Sequence, residues 1–317
     1  MKKIKILCTL GPKSLNKDFL RFANKKVDLV RLNLSHINIP NLEKTIKFVK
    51  KNTSVPICID TEGAQIRTKV KKNKKFSFGK RGYINEKVGN FTLYPSYIYN
   101  KLKKNDILDV GFDGLKIKIL KKIENKILFK TINAGLLEKN KGVHIQNRSV
   151  KLNFLTEKDF KAIEISKKLR IKNFALSFTN SVNDIKKFNK LLPKENKIFK
   201  IETKKAINSL DKIFKVGKKF LIDRGDLSKE ISIFQLPRVQ RLIFKKSSKN
   251  IEIYTATNFL ESMLKNPHPT RGEVNDIFNT LEMGASGLVL AAETAIGNYP
   301  KECVNFLLKF ISKIRIN

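Results

Sequence analysis

Short apolar runs of β-type composition alternate with longer runs of helical spacing eight times along the chain, which restricts the fold more than any other feature. The strand candidates are Ile4–Leu10, Leu29–Leu34, Val55–Ile59, Asn173–Phe178, Lys197–Ile201, Lys219–Ile222, Ile251–Ala256 and Gly287–Ala291. Helix candidates follow near 17–25, 41–52, 156–169, 182–191, 204–215, 235–246, 273–283 and 300–314. Thr156 with Asp159 and Ser181 with Asp184 have the spacing of helix N-caps. Eight strand–helix units predict an α/β fold, a (β/α)8 TIM barrel. A doubly wound open sheet is the second choice. It would be unusual with eight strands and no glycine-rich dinucleotide loop.

One interval breaks the alternation. Residues 68–150 lie between the third strand and its helix. They carry short runs at Phe91–Tyr94, Ile107–Val110, Leu115–Leu120 and Ile127–Ile132, punctuated by Gly79, Gly82, Gly89, Gly111 and Gly114. The stretch is too long for a structureless loop. It predicts a small β-rich domain inserted into a barrel made of 1–67 and 151–317, expected to act as a hinged lid.

Composition narrows the function classes. Of 317 residues, 41% are apolar, enough for a sizeable core and against a disordered chain. Three cysteines without C-x-x-C spacing exclude a disulfide framework and a cysteine-rich zinc site. Cys8, Cys58 and Cys303 sit in apolar runs, as buried thiols in a reducing cytosol do. Lys plus Arg is 66 against 28 Asp plus Glu, a net charge of +38. The lysines are scattered among abundant Ile, Asn and Phe. No basic block is interleaved with aromatics as a base-stacking surface would be. Compositional drift with a general attraction for anions is therefore preferred to nucleic-acid binding. No run reaches the roughly 18 apolar residues of a membrane span. The apolar run after Met1-Lys2-Lys3 is too short for a signal peptide, so a cytoplasmic protein is expected.

Barrel enzymes place their chemistry where strands end. Here the first strand ends in Thr9, the second carries Arg31, Asn33 and Ser35 on one face, and the third ends in Asp60-Thr61. The fourth ends in Ser177, and the fifth carries Lys200 and Glu202 on one face. The sixth ends in Asp223-Arg224-Gly225-Asp226, the seventh in Thr255 and Thr257, and the eighth in Glu293-Thr294. Polar groups thus converge from all eight strands.

Glu202 and Asp226, from adjacent strands, can share a hard divalent cation such as Mg²⁺ or Mn²⁺. Lys200 and Arg31 can neutralise a transferring phosphoryl group. Asn33, Ser35, Asp60 and Thr61 form a suitable cage for a monovalent cation. Thr257 offers a hydroxyl with no strong base beside it, and His36 is the one histidine positioned near the rim. The set reads as metal-assisted phosphoryl transfer rather than triad hydrolysis. A solvated ion pair is the plain alternative for Lys200 and Glu202, but the strand around them is apolar and buried charges need partners. Surface roles stand beside site roles for His36 and Lys158, and Asp113 has the flanks of an ordinary turn residue.

The residues resemble the pyruvate kinase family from end to end. The resemblance rests on Cys8-Thr9-Leu10-Gly11-Pro12, Arg31-Leu32-Asn33-Leu34-Ser35-His36, Asp60-Thr61-Glu62-Gly63 through Ile66-Arg67-Thr68, and Glu157-Lys158-Asp159. It continues through Lys200-Ile201-Glu202, Arg224-Gly225-Asp226-Leu227, Ala256-Thr257 with Leu260-Glu261-Ser262-Met263, Pro267-His268-Pro269-Thr270-Arg271, and Glu293-Thr294-Ala295 with Gly297, Tyr299 and Pro300. In the insertion it is loose, mainly at Asp113-Gly114.

The resemblance implies transfer of the phosphoryl group of phosphoenolpyruvate to ADP, then protonation of the enolate to pyruvate. It implies catalytic roles for Lys200, Arg31 and Thr257, and substrate binding by Arg224, Gly225, Asp226 and Thr257. Glu202 and Asp226 would hold Mg²⁺, and Asn33, Ser35, Asp60 and Thr61 match K⁺ ligands. Asn33, His36, Arg67 and Lys158 match nucleotide-side positions.

Departures accompany it. Ala291-Ala292 replaces a usual Ser-Gly, removing a hydroxyl near the proton path. Asn258 replaces a Gln, Asp223 a small residue, Gln65 a Glu or Lys tied to K⁺ dependence, and Gln146-Asn147 a Pro-Gly hinge. The family's C-terminal regulatory domain has no counterpart in these residues. That implies unregulated, hyperbolic kinetics and a homodimer rather than a tetramer, or association with a full-length copy. Three function classes stay open: an active pyruvate kinase, a related phosphoenolpyruvate enzyme with another acceptor or product, and a non-catalytic homologue.

Overall fold

The computed structural model describes residues 3–87, 89–111, 114–146, 148 and 150–314. Asp113 and Asn147, which carry part of the resemblance and of its departures, lie outside the described residues. The chain forms two compact units, Met1–Gly63 with Glu157–Asn317, and Ala64–Thr156.

The first unit is a closed barrel of eight parallel strands. They are β1 (Lys5–Thr9), β2 (Leu29–Asn33), β3 (Ile57–Asp60), β4 (Asn173–Leu176), β5 (Asn196–Ile201), β6 (Lys219–Asp223), β7 (Glu252–Ala256) and β8 (Gly287–Leu290). Each pairs with its neighbours in sequence, and β8 closes on β1 through Lys5 opposite Gly287. All eight expected strands form, within a residue or two of the expected bounds. The expected helices form as well, at 17–23, 39–52, 157–168, 182–191, 236–246, 271–282 and 300–313. The helix expected over 204–215 is broken into 204–208 and 210–213. Ser209 ends the first piece and opens the second with φ −107 and ψ 6, as serine does when it competes with helix continuation.

Caps hold the helix starts. The Ser181 side chain accepts from the Asp184 N–H, and Asn16 and Thr203 accept likewise from Phe19 and Ala206. Thr270 and Glu273 form a full capping box on 271–282. Asp159, expected to cap its own helix with Thr156, is fully buried. Its carboxylate accepts from the Glu62 and Gly63 N–H groups at 2.7 and 3.0 Å, fixing the loop after β3. Gly63 has φ +66, and a Cβ there would lie 2.5 Å from the Ser177 carbonyl oxygen.

The barrel interior follows from the two-residue period of strands. Leu7, Cys58, Ala175, Ile198, Leu221, Tyr254 and Val289 form one inward apolar cluster, with Leu29 packed against it. Two residues further along each strand, the same face brings in Thr9, Arg31, Asp60, Ser177, Lys200, Asp223, Ala256 and Ala291. An apolar plug thus supports a mostly polar layer at the C-terminal rim.

The second unit is an antiparallel sheet of seven strands, in the order 81–85, 126–131, 115–123, 107–110, 142–145, 66–70 and 91–94. A separate ribbon pairs 135–137 with 74–76. Its own core includes Ile84, Phe91, Leu93, Ile117 and Phe129. The Phe129 ring meets Phe76 and Phe91 at 5.8 and 6.0 Å between centroids. The four expected strands are present. The strands at 74–76, 81–85, 135–137 and 142–145 are too short, or carry too much lysine, arginine or glycine, to show a clear alternating pattern, whereas 66–70 does alternate, with Ile66, Thr68 and Val70 buried, and is not among the expected strands. The unit's bounds, 64–156, run a few residues beyond the 68–150 read from sequence.

Candidate active site

Lys200 is the centre of the rim layer. It is 4% exposed, yet its Nζ lies 2.8 Å from Glu202 Oε1, 3.3 Å from Asp223 Oδ2 and 3.4 Å from Asp60 Oδ2. It also donates to Ser177 Oγ at 3.2 Å. Burial works to lower its pKa, but Asp60, Glu202 and Asp223 together outweigh that and hold it above the usual lysine value. The ammonium is therefore a permanent charge.

Arg31 lies beside it. Its NH1 is 3.3 Å from Asp60 Oδ2, and its Nε donates to Thr9 Oγ1 at 3.1 Å. Burial opposes its charge, and Asp60, followed by Asp223, overcomes burial. Asp60 is thus shared by two cations, and its Oδ1 also accepts from Ser177 Oγ at 3.1 Å.

Glu202 is fully buried, with Oε2 accepting from the Phe178 N–H at 2.5 Å. Phe178 adopts φ +52, a strained value for a bulky residue. Oε1 has an ion-pair contact with Lys200 but no aligned hydrogen-bond donor among the described residues. Burial pushes the Glu202 carboxyl up, against the pull of Lys200, and Asp226 and Asp223 push it further. Carboxylate oxygens of Glu202, Asp223 and Asp226 lie within 4.8 Å of one another. A fully buried carboxylate oxygen without a hydrogen-bond donor, facing two more acids, is a donor set that fits a hard divalent cation. The sequence expectation names Glu202 and Asp226 for this role and records Asp223 as an added charge; the structure places Asp223 beside them, 3.3 Å from Lys200 Nζ. Continuing the β5–β6 register beyond Ile201 opposite Ile222 brings Glu202 opposite Asp223.

The loop after β7 is held by the loop after β6. Gly225 N–H donates to Thr257 Oγ1 at 2.8 Å, and that hydroxyl donates to the Ala256 carbonyl at 2.5 Å. The Arg224 side chain is committed to the Thr257 carbonyl and to Asp276, and stacks 4.2 Å over the Phe259 ring. What Arg224 can offer a ligand is backbone. Thr257 and Asn258 both have positive φ, +75 and +60, in residues that rarely take it. Glu293 is a clamp beneath them. Its Oε1 accepts from the Phe259 and Leu260 N–H groups at 3.2 and 3.4 Å, and its Oε2 from Ala291 N–H at 2.7 Å.

On the β2–β3 side, Asn33 Oδ1 accepts from the Ser35 N–H at 2.9 Å. The Thr61 hydroxyl is used within the barrel, donating to the Ala175 carbonyl and accepting from Ser177 N–H. Its carbonyl oxygen is the group it could offer a cation. Lys158 Nζ bridges the Leu34 carbonyl at 2.5 Å and Glu62 Oε1 at 2.9 Å. His36 is exposed after β2. Arg67 lies in the inserted unit, on 66–70, where its NH1 donates to the Asn140 carbonyl at 3.3 Å. The barrel thus brings Arg31, Asp60, Lys200, Glu202 and Asp223 into contact and ties Gly225 to Thr257.

Comparison with known proteins bears on this geometry. A family model described as pyruvate kinase, barrel domain, matches residues 1–304. The chain is 30% identical over 334 residues to "Pyruvate kinase" of Bacillus licheniformis, covering 99% of this chain and 57% of that protein. It is 32% identical over 328 residues to "Pyruvate kinase" of Thermotoga maritima, and 32% over 316 residues to that of Methanocaldococcus jannaschii. Those matches cover 98% of this chain and 70% and 69% of the relatives. The chain therefore spans little more than half the length of the Bacillus relative and about seven-tenths of the other two.

Proposed function

The chain belongs to the pyruvate kinase family, and on that premise we propose that it transfers the phosphoryl group of phosphoenolpyruvate to ADP, giving pyruvate and ATP. The observation that carries the reading is the buried cluster of Lys200 and Arg31 with Asp60, Glu202 and Asp223. A barrel kept only for stability gains little from five buried charges, since apolar side chains of similar volume serve as well or better. Charge fixed at a strand rim is what phosphoryl transfer needs, because its transition state is stabilised by position and electrostatics rather than by a protein nucleophile.

In this reading Lys200 and Arg31 face the charge that spreads over the transferring group. Glu202 and Asp226 would hold Mg²⁺ or Mn²⁺, which would supply further positive charge to the transferring group. The backbone of 224–226 receives the substrate carboxylate. Thr257 Oγ1, held by Gly225 N–H, lies on the route by which a proton reaches the enolate. Asn33, Ser35, Asp60 and Thr61 supply oxygens for K⁺, and Asn33, His36 and Lys158 lie toward the nucleotide. The three buried free thiols fit a reducing compartment, and we place the protein in the cytoplasm. Among the described residues no helix is long and apolar enough to cross a membrane.

The test is ADP-dependent release of pyruvate from phosphoenolpyruvate, with and without K⁺ and divalent ion, for the natural chain and Lys200→Met. The expected result is pyruvate formation that needs divalent ion and falls at least about 100-fold in the variant. Phosphoenolpyruvate consumed without ADP, or a variant as fast as the natural chain, overturns the assignment.

A further inference from the structure

We propose that the inserted unit binds single-stranded nucleic acid, in a cleft of about 750 Å³ that lies wholly within residues 71–137. The expectation that no basic block is interleaved with aromatics does not hold here. Residues 71–83 hold six basic and three aromatic side chains and no acid. Strand pairing folds this stretch back on itself, with 74–76 on 135–137 and 81–85 on 126–130. The fold thereby brings Lys71, Lys72, Lys74, Arg81 and Lys126 around one opening. Arg67, the insertion's residue matched to the nucleotide side of the barrel, lies four residues back from Lys71, about 13 Å along an extended strand.

Three features separate the cleft from an ordinary lysine-rich surface. No carboxylate lines it among the described residues, and none of its five cations has an ion-pair partner there. Other surface lysines do have one, as in Lys47 with Glu43, Lys168 with Glu164, Lys246 with Asp211 and Lys301 with Asp18. Like charges around one opening repel each other, and a polyanion relieves that repulsion. The floor is apolar and aromatic, made by Phe76, Phe91, Phe129 and Leu137. Planar groups are also offered at the surface. Tyr83 lines the cleft yet is 49% exposed, with Lys126 Nζ 5.9 Å from its ring centre, and Phe78 is 70% exposed. Cations for phosphates beside free aromatic faces for bases are the parts of a single-strand site. The cations continue past the cleft through Lys75, Lys80, Lys121 and Lys122, all exposed, which suits a strand rather than one nucleotide.

The experiment follows fluorescence anisotropy of a labelled single-stranded RNA of mixed sequence with the full chain, over a series of salt concentrations. Variants are the triple Lys72→Gln, Lys74→Gln and Arg81→Gln, the single Tyr83→Ala, and a control triple on the barrel, Lys186→Gln, Lys190→Gln and Lys194→Gln. All of these side chains are exposed, and each protein is first checked for native circular dichroism. The cleft triple should lose at least about tenfold in affinity, and its slope of log affinity against log salt should fall by about 2, at about 0.7 for each cation removed. Tyr83→Ala should lose at least about fivefold with its salt slope unchanged, as loss of a stacking partner does. The control triple should stay within about twofold of the natural chain. An equal loss in the control triple assigns binding to net charge and overturns the site. Unchanged affinity in Tyr83→Ala removes base stacking and overturns it as well. Displacement of the RNA by AMP at equal nucleotide concentration would make this a mononucleotide site and overturn the single-strand reading. No binding by the natural chain at low salt overturns it outright.

Discussion

Partners decide what burial does to a charge. Lys200 stays charged because three acids surround it, and Glu252 shows the reverse case at the opposite end of the barrel. Burial works to raise the Glu252 carboxyl, but hydrogen bonds from Lys5 Nζ at 2.8 Å and Tyr254 Oη at 2.6 Å outweigh it, with help from Lys219. Its pKa falls to about 2, from an ordinary value of 4.5. A group depressed in the folded state adds stability above its unfolded pKa and loses it as pH falls through the folded one. The window for Glu252 therefore runs from about 4.5 down to about 2. In urea unfolding at pH 7, Glu252→Gln should be less stable than the natural chain by about 1 kcal/mol, a figure kept small because the network is partly solvated. Near pH 2 the difference should shrink toward zero. A deficit that stays constant across this range would mean that Gln disturbs packing rather than charge.

The strand ends made most of the site legible. Alternation along β2 and β5 puts Arg31 with Asn33, and Lys200 with Glu202, on one face each, and no further information was needed to bring them to the rim. The pairing of Asp223 with Lys200 was not legible, because reading one strand at a time cannot see its neighbour's register. The fixed Arg224 side chain was also out of reach. Its partner Asp276 lies in the next-but-one helix, 52 residues away, and its posture depends on the left-handed turn at Thr257 and Asn258. In the insertion, Lys74–Phe76 and Gly135–Leu137 escaped notice because three residues hold too little alternation to show a period. Glu293 was read as a rim carboxylate, and its bonds make it the clamp between the loop after β7 and the end of β8. Removing it in Glu293→Ala strands three N–H groups, those of Phe259, Leu260 and Ala291. Unsatisfied buried donors cost about 1 to 3 kcal/mol each, so unfolding free energy should drop by about 3 kcal/mol. A drop below about 0.5 kcal/mol would show that the loop finds other acceptors.

For the whole molecule, the two units give an unusual pair of optical labels. The chain has no Trp and six Tyr, and four of these, Tyr83, Tyr94, Tyr97 and Tyr99, lie in the inserted unit. Helix is divided the opposite way, since 98–101 is the only helix among the insertion's described residues. Tyrosine fluorescence therefore reports chiefly on the insertion, and circular dichroism at the helix band on the barrel. Each unit has its own apolar cluster: the insertion's is drawn wholly from residues 66–152, the barrel's inner one wholly from its own strands. Independent cores permit independent unfolding, and two-state behaviour then fails. Urea titrations followed by the two signals should give midpoints that do not coincide. A mutation confined to the insertion's core, such as Phe129→Ala, should move the fluorescence transition by about 3 kcal/mol or more while leaving the helix-band midpoint near its natural value. Coincident transitions in the natural chain, shifted together by Phe129→Ala, would show that the two cores unfold as one cooperative body.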